Sequence, residues 1–116
     1  MQRHIICIGK NIASFDLLFR QCFSEHCLLY YSDSQFCVKD VSLFQNVDVI
    51  IFLDDPFDFF RLKLLLRLER CFPHVICGLL SFLSFNDLSP LPDLYDFSLP
   101  YPPTNTDLIS IKTRFL

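Results

Sequence analysis

Short apolar runs alternate with longer amphipathic stretches along the chain, and this alternation limits the fold more than any other feature. The apolar runs are residues 4–8, 27–31, 47–53, 75–80 and 94–99. Runs of this length, separated by amphipathic segments, are typical of β-strands joined by crossover helices. The run at 47–53 is nearly all β-branched or aromatic, as in a parallel strand covered on both faces. We therefore predict five strands, with the third at the centre of the sheet.

The first three segments between the runs have helical patterns. Apolar residues spaced three and four apart predict a first helix from Ile12 to about Glu25. The turn at residues 32–34 can cap a weaker second helix that reaches about Phe44. Residues 57–71 are rich in leucine and contain no glycine or proline, which predicts a third helix.

The last two segments differ in how clearly their sequences predict a helix. Residues 81–92 contain prolines and turn-forming residues, so the fourth helix is expected to be short or distorted. Thr104 can cap a fifth helix, in which Leu108, Ile111 and Phe115 form one apolar stripe. Lys112 is expected to extend along that stripe.

Five strands and their helices fill the 116 residues, so the chain is predicted to be one domain. Because such crossovers are right-handed, the expected fold is an α/β, flavodoxin-like doubly wound parallel sheet of order 2-1-3-4-5. Ligands of such sheets lie beyond the carboxyl ends of strands one and three. The residues there are Gly9, Lys10, Asn11, Asp54 and Asp55.

Composition excludes several functions. A net charge of −3 and a pI of 5.4 argue against direct DNA binding by this chain. No apolar run is long enough to cross a bilayer or to serve as a secretion signal, so a cytoplasmic protein with six free thiols is expected. Two glycines are too few for a dinucleotide, P-loop or flavin phosphate loop. We therefore expect no cofactor and no small-molecule substrate.

Two further groups of residues admit more than one interpretation. Cys71, His74 and Cys77 have a spacing that could ligate zinc, although two buried thiols and a loop histidine are the simpler interpretation. A nucleophilic Cys-His pair has no supporting flanking motif. The basic residues of the third helix are expected on its solvated side, where they could also meet an acidic partner. They are Arg61, Lys63, Arg67 and Arg70.

The end of the third strand carries a more specific pattern. The stretch 48–56 ends in Pro56, four residues after Phe52. Leu99-Pro100-Tyr101, followed by Thr104, precedes the last helix. In these features the chain resembles the receiver domain of two-component response regulators, in which a phosphoacceptor aspartate precedes that proline by four and a lysine stands before the later proline.

The resemblance implies a phosphoacceptor pocket whose chemistry has changed. Phe52 replaces the acceptor, Leu99 replaces the lysine, and Gly9-Lys10 replaces the acidic pair. The threonine or serine of the fourth strand falls near Leu79 or Leu80, or at Ser81 with a shifted register. A phenyl ring cannot accept phosphate, and Mg²⁺ without carboxylates loses most of its ligands. The implied degenerate pocket comprises Gly9, Lys10, Phe52, Asp54, Asp55, Leu80 and Leu99.

This pocket implies a non-enzymatic pseudo-receiver that does not depend on phosphorylation. The alternative keeps Asp54 or Asp55 as a displaced acceptor beside Lys10. A simpler role for these two carboxylates is to cap the third helix.

The resemblance also implies a dimer. In receivers, phosphorylation is read out on the face formed by the fourth helix, fifth strand and fifth helix. Here that face is expected to be apolar and to hold a constitutive two-fold homodimer. Its candidate residues are Leu88, Leu91, Leu94, Tyr95, Phe97 and Ile109.

The subfamily that dimerises in this way, the OmpR/PhoB-like transcription factors, carries a winged helix-turn-helix domain after the receiver. Phe115-Leu116 falls where a linker to such a domain would begin. DNA would then be contacted only through that separate domain, as in atypical regulators of the chlamydial ChxR kind. A stand-alone protein-interaction module is the third hypothesis.

Overall fold

The computed structural model describes residues 2–53, 58–81 and 95–116. Within these ranges, five strands form one parallel sheet of order β2-β1-β3-β4-β5. The predicted doubly wound order is therefore confirmed. The strands are β1 His4–Ile8, β2 Cys27–Tyr31, β3 Val49–Leu53, β4 Ile76–Ser81 and β5 Phe97–Pro100.

The described residues also form four α-helices and two 3-10 turns that connect the strands. The helices are α1 Asp16–Cys22, α2 Ser34–Lys39, α3 Phe59–Cys71 and α4 Asn105–Phe115. The 3-10 turns are Ile12–Phe15 and Val41–Phe44. No helix in the described ranges is both long and apolar enough to cross a membrane.

Each face of the sheet is covered by helices, and successive strand residues point to opposite faces. Ile50 and Phe52 lie in the layer packed by Leu64 and Leu68 of α3. The other layer holds the neighbouring β3 residues with residues of α1 and α4. All five residues of β3 are buried, which explains its continuous apolar run.

The first two helices are shorter than predicted. Asn11 adopts a left-handed conformation (φ 65°), and residues 12–15 form a 3-10 turn before α1 begins. The helix ends at Cys22 rather than near Glu25. The second helix was predicted to reach Phe44 but ends at Lys39. The carboxylate of the next residue, Asp40, accepts the Ser42 N–H and starts a separate 3-10 turn.

The third helix begins two residues later than predicted, at Phe59. Its N-cap is Asp58, whose carboxylate accepts the Arg61 N–H at 2.8 Å. Asp54 and Asp55, to which the capping role was given, lie outside the described ranges, and the N-cap that the structure shows was not predicted. The predicted fourth helix also lies outside them, except for Ser81, which ends β4.

The last helix agrees with its prediction. Thr104 caps α4 through a reciprocal capping box with Asp107. Leu108 and Ile111 are buried, and the ring of Phe115 packs 5.3 Å from that of Phe97. The stripe predicted from spacing is the face that holds α4 on the sheet.

All six cysteines are free thiols. Burial raises the pKa of Cys77 to about 12 and that of Cys37 to about 11, so both stay protonated and act as small apolar side chains. Cys71 and His74 are exposed, so the expectation of two buried thiols around this histidine is wrong for Cys71. In the described ranges, no group of three or more His, Cys, Asp or Glu side chains is placed to hold a metal.

A buried histidine joins the start of β1 to the turn before β2. The side chain of His26 is 4% exposed, and its Nδ1 accepts the Arg3 N–H at 3.0 Å. Burial lowers the pKa of His26, and the nearby Glu25 carboxylate offsets this shift only in part. The neutral imidazole, with its proton on Nε2, is therefore the form that fits the fold.

We predict that this histidine makes the protein less stable as the pH falls. The folded pKa lies below the unfolded value of about 6.5, so the unfolded chain takes up the proton first and unfolding is favoured below that pH. In His26→Asn the amide oxygen can replace Nδ1 as acceptor without titrating. We expect urea denaturation of the variant between about pH 7 and pH 5 to show a smaller loss of unfolding free energy than wild type.

His74→Asn is the matched control because His74 is exposed. It should keep the wild-type pH dependence. An unchanged pH dependence in His26→Asn would contradict the role given to His26.

Candidate functional site

The candidate site lies at the carboxyl edge of β1 and β3, where the strand order of the sheet reverses. Ligands of doubly wound sheets bind at this kind of crevice. A cavity of about 180 Å³ opens here. Its lining residues are Gly9, Lys10, Ser32, Asp33, Ser34, Leu53, Asp58 and Arg61.

Gly9 brings the exit of β1 against the end of β3. Its φ of 155° belongs to a region that favours glycine, and a Cβ added there would lie 2.7 Å from the Cβ of Leu53. A side chain at position 9 therefore has no room. The sequence has no carboxylate at the first position of the implied acidic pair, and the backbone leaves no space for one.

Phe52, which occupies the implied acceptor position, is fully buried. The ring of Tyr95 meets it edge-on with centroids 6.3 Å apart. The guanidinium of Arg61 lies over the same ring, 5.1 Å from its centroid. An aromatic contact and a cation–π contact thus fill the position that the resemblance assigns to an acceptor carboxylate.

Arg61 is the site residue that sequence reasoning placed wrongly. It was predicted on the solvated side of its helix, yet it is 4% exposed and donates from Nη2 to the Leu53 carbonyl at 2.5 Å. The periodicity contained the signal, because Arg61 shares its helical face with Leu64, Leu65 and Leu68. Its charge alone suggested the opposite face.

The other basic residues of α3 divide differently. Arg67 is exposed but donates to the Val38 carbonyl at 2.5 Å, which ties α3 to α2. Lys63 and Arg70 are exposed, as predicted. Only part of the basic set therefore faces solvent freely.

Leu80 and Leu99 are not part of the cavity. The strand register pairs Leu53 with Leu80 and Leu80 with Leu99, and both leucines are buried in the layer of α1 and α4. Phe52 belongs to the opposite layer. The structure therefore divides the predicted pocket. Gly9 and Lys10 lie at the cavity, Phe52 lies in one part of the core, Leu80 and Leu99 lie in another, and Asp54 and Asp55 lie outside the described ranges.

Two carboxylates line the cavity, and both already cap helices. Asp33 accepts the Phe36 N–H at 2.9 Å at the start of α2, and Asp58 does the same for α3. The turn around Asp33 was predicted as an N-cap, whereas Asp58 was missed. Lys10 and Arg61 set positive charges against these two carboxylates, so the described lining residues contribute two charges of each sign.

The predicted dimer residues also divide. Tyr95 is 3% and Phe97 is 4% exposed, so both belong to the core, and their assignment to an interface is wrong. Ile109 is 53% exposed on α4 and remains available. Leu88, Leu91 and Leu94 lie outside the described ranges.

Comparison with known proteins supports the fold. No protein-family model and no curated protein matches this sequence. A Burkholderia thailandensis protein provisionally assigned to pilus assembly (CpaE) is similar, with a TM-score of 0.78 at 16% identity over 97% of this chain and 96% of that one. The signal receiver domain of an HD domain-containing protein from Pseudomonas fluorescens has a TM-score of 0.73 at 15% identity, over 99% and 94%.

A third structure, DrrB from Thermotoga maritima, is a response regulator homologous to OmpR and PhoB. It has a TM-score of 0.77 at 13% identity, over 99% of this chain and 52% of that one. At these identities the matches show that the chain has the receiver fold. The function has to be argued from the site.

We predict that Arg61 stabilises the end of β3. In Arg61→Met the Leu53 carbonyl loses the guanidinium that it accepts from, and an unsatisfied buried polar group costs about 1 to 3 kcal/mol. We expect urea denaturation to show a loss of this size. Lys63→Met on the exposed side of the same helix should change the unfolding free energy by about 0.5 kcal/mol or less. Equal effects of the two substitutions would contradict this role.

Proposed function

We propose that this chain is the regulatory, non-enzymatic domain of a transcriptional regulator, and that its output does not depend on phosphorylation. The observation that carries the proposal is the burial of Phe52 beneath the Arg61 guanidinium, in the place of a phosphoacceptor. The receiver fold supports the regulatory class. The contents of the pocket support independence from phosphate.

The chemistry of the pocket disfavours phosphoryl transfer. The phenyl ring of Phe52 has no oxygen to attack phosphorus, and a covalent phosphoenzyme needs such a nucleophile. Mg²⁺ prefers carboxylate and water oxygens, whereas the exit of β1 offers Gly9 and the ammonium of Lys10. The guanidinium of Arg61 supplies a fixed positive charge at the same cavity, and this charge opposes the binding of Mg²⁺ there.

Core packing can favour the conformational state that phosphorylation favours in other receivers. Phe52 contacts both Arg61 and Tyr95, and Tyr95 lies two residues before the start of β5. The acceptor position and the start of β5 are therefore linked by permanent aromatic contacts. Without an acceptor, one state has to be favoured by such contacts.

We further propose that the domain forms a constitutive homodimer through the face that includes α4. Ile109 supplies exposed apolar surface there, and Leu88, Leu91 and Leu94 are expected beside it. A stable interface of this kind buries about 1,200 to 2,000 Å² in total. Tyr95 and Phe97 would support this face from the core rather than contact the partner copy.

DNA binding would belong to a further domain of a cytoplasmic, OmpR/PhoB-like protein. The net charge of −3 suits this chain poorly to a phosphate backbone. This chain covers 52% of the DrrB chain, which leaves room in such regulators for a second domain. These observations favour a regulatory role for the chain over direct contact with DNA.

We predict no phosphorylation from a small phosphodonor. After incubation with acetyl phosphate and Mg²⁺, intact mass spectrometry should show only the unmodified chain, because Phe52 offers no nucleophile. Beryllofluoride with Mg²⁺ should leave the melting temperature unchanged. A covalent adduct that is lost in Asp54→Asn but kept in Asp55→Asn would contradict the proposal and assign the acceptor to Asp54.

We also predict a dimer that depends on Ile109. Sedimentation at tens of micromolar should give a dimer mass for wild type and a monomer mass for Ile109→Glu, because a carboxylate would be desolvated in the interface. Leu17→Glu is the matched control, since Leu17 is 73% exposed on α1. A strictly monomeric wild type would contradict the dimer and favour the stand-alone interaction module.

A further inference from the structure

The solvent side of α3 carries large apolar side chains that no other element of the described ranges covers. Phe59 is 69% and Leu66 is 56% exposed, and Leu62 between them is half-buried. The opposite side of α3 packs into the core through Leu64 and Leu68. The exposed side, which we call the outer face of α3, carries two cations and one carboxylate beside its apolar residues. It consists of Phe59, Leu62, Lys63, Leu66, Glu69 and Arg70.

The spacing of these residues follows a heptad. Phe59 and Leu66 are seven residues apart, and Leu62 stands three after Phe59, so the three occupy positions a, d and a. Seven residues advance a helix by about 10.5 Å and nearly two full turns, which keeps both a residues on one line. The next d position is the exposed Glu69, so the apolar seam runs from Phe59 to Leu66. Over that length it is half of a seam of the kind that a second helix completes.

The cations of the outer face follow the same period. Lys63 and Arg70 are both exposed at the e position beside the seam, and the Lys63 ammonium lies 6.0 Å from the centroid of the Phe59 ring. Neither residue forms an ion pair with another residue of the described ranges. Charges at e positions select the partner of a helix by attraction or repulsion.

We propose that the outer face of α3 binds an acidic amphipathic helix of another protein. Apolar a and d side chains of that helix would cover Phe59, Leu62 and Leu66. Its flanking carboxylates would pair with Lys63 and Arg70, which brings opposite charges to the edge of a desolvated seam. The inference does not depend on the proposed regulatory function, because it rests on α3 alone.

The charges argue against a second copy of this chain as the occupant. Two α3 helices packed antiparallel about a two-fold axis set e positions against e positions. Lys63 and Arg70 of one copy would then face the same cations of the other. Repulsion between them would weaken the pairing.

A lipid surface fits the outer face less well than a helix does. An interfacial helix buries a wide apolar face in the membrane. Here three apolar side chains form a narrow line, and the rest of the apolar surface of α3 is committed to the core. This geometry matches one neighbouring helix.

The test uses a labelled three-heptad peptide with leucine at a and d and glutamate at e and g. A second peptide carries lysine in place of every glutamate. Fluorescence anisotropy with the wild-type chain should show about tenfold tighter binding of the acidic peptide, and this preference should weaken as salt is raised. Phe59→Ser and Leu66→Ser should each weaken binding of the acidic peptide, because the seam loses an apolar contact.

Charge reversal gives the sharper result. Lys63→Glu combined with Arg70→Glu should transfer the preference to the basic peptide, while Leu17→Ser and Lys39→Glu, both at exposed positions on other helices, should leave the wild-type affinities unchanged. Circular dichroism melts confirm that each variant is folded.

Three outcomes would overturn the proposal. The first is equal affinity of the wild type for the two peptides, and the second is failure of the double variant to change the preference. The third is binding to vesicles of phosphatidylserine and phosphatidylcholine without binding to the acidic peptide, which would assign the face to a membrane.

Discussion

The buried guanidinium of Arg61 connects the parts of this structure that matter for function. A charge removed from water is costly unless polar and aromatic partners receive it. Here the Leu53 carbonyl accepts one of its N–H groups and the Phe52 ring lies beneath it. Asp58 fixes the start of α3, and hence the position of Arg61, by capping the helix at the Arg61 N–H. The end of β3 and the start of α3 therefore form one unit with a built-in positive charge.

Under the proposed function, this unit leaves a signal based on phosphate no place to act. A ligand shifts an equilibrium between two states only if it binds them with different free energies. In a receiver the acceptor provides that difference at the end of β3. Here the same position carries an aromatic ring that contacts Tyr95 in the core. The state of the domain then follows from permanent contacts, and any change of state requires a different kind of input.

The sequence predicted the sheet well and the site in part, for physical reasons. The strand β3 is buried on both faces and leaves a continuous apolar run, so its central place was predicted from sequence. The strand order followed from the right-handed crossovers of alternating strands and helices. The early ends of the first two helices depend on single turns, such as the Asp40 cap, that compete with weak helical patterns. Phe97 was assigned to a surface because the receiver resemblance places the fifth strand on the dimer face. Its ring lies against Gly78, where an added Cβ would come within 2.0 Å of it, and only the pairing of β4 with β5 reveals that space.

The buried Arg61 and the exposed apolar residues of the outer face are opposite exceptions to the amphipathic pattern of α3. On the inner face the pattern put a cation among leucines, and a buried carbonyl and an aromatic ring make that position tolerable. On the outer face it put Phe59 and Leu66 among cations, and no part of the described fold covers them. A partner bound there would act on the same helix that holds Arg61 over Phe52. Binding at the outer face of α3 would therefore reach Phe52 through the contact of Arg61 with its ring.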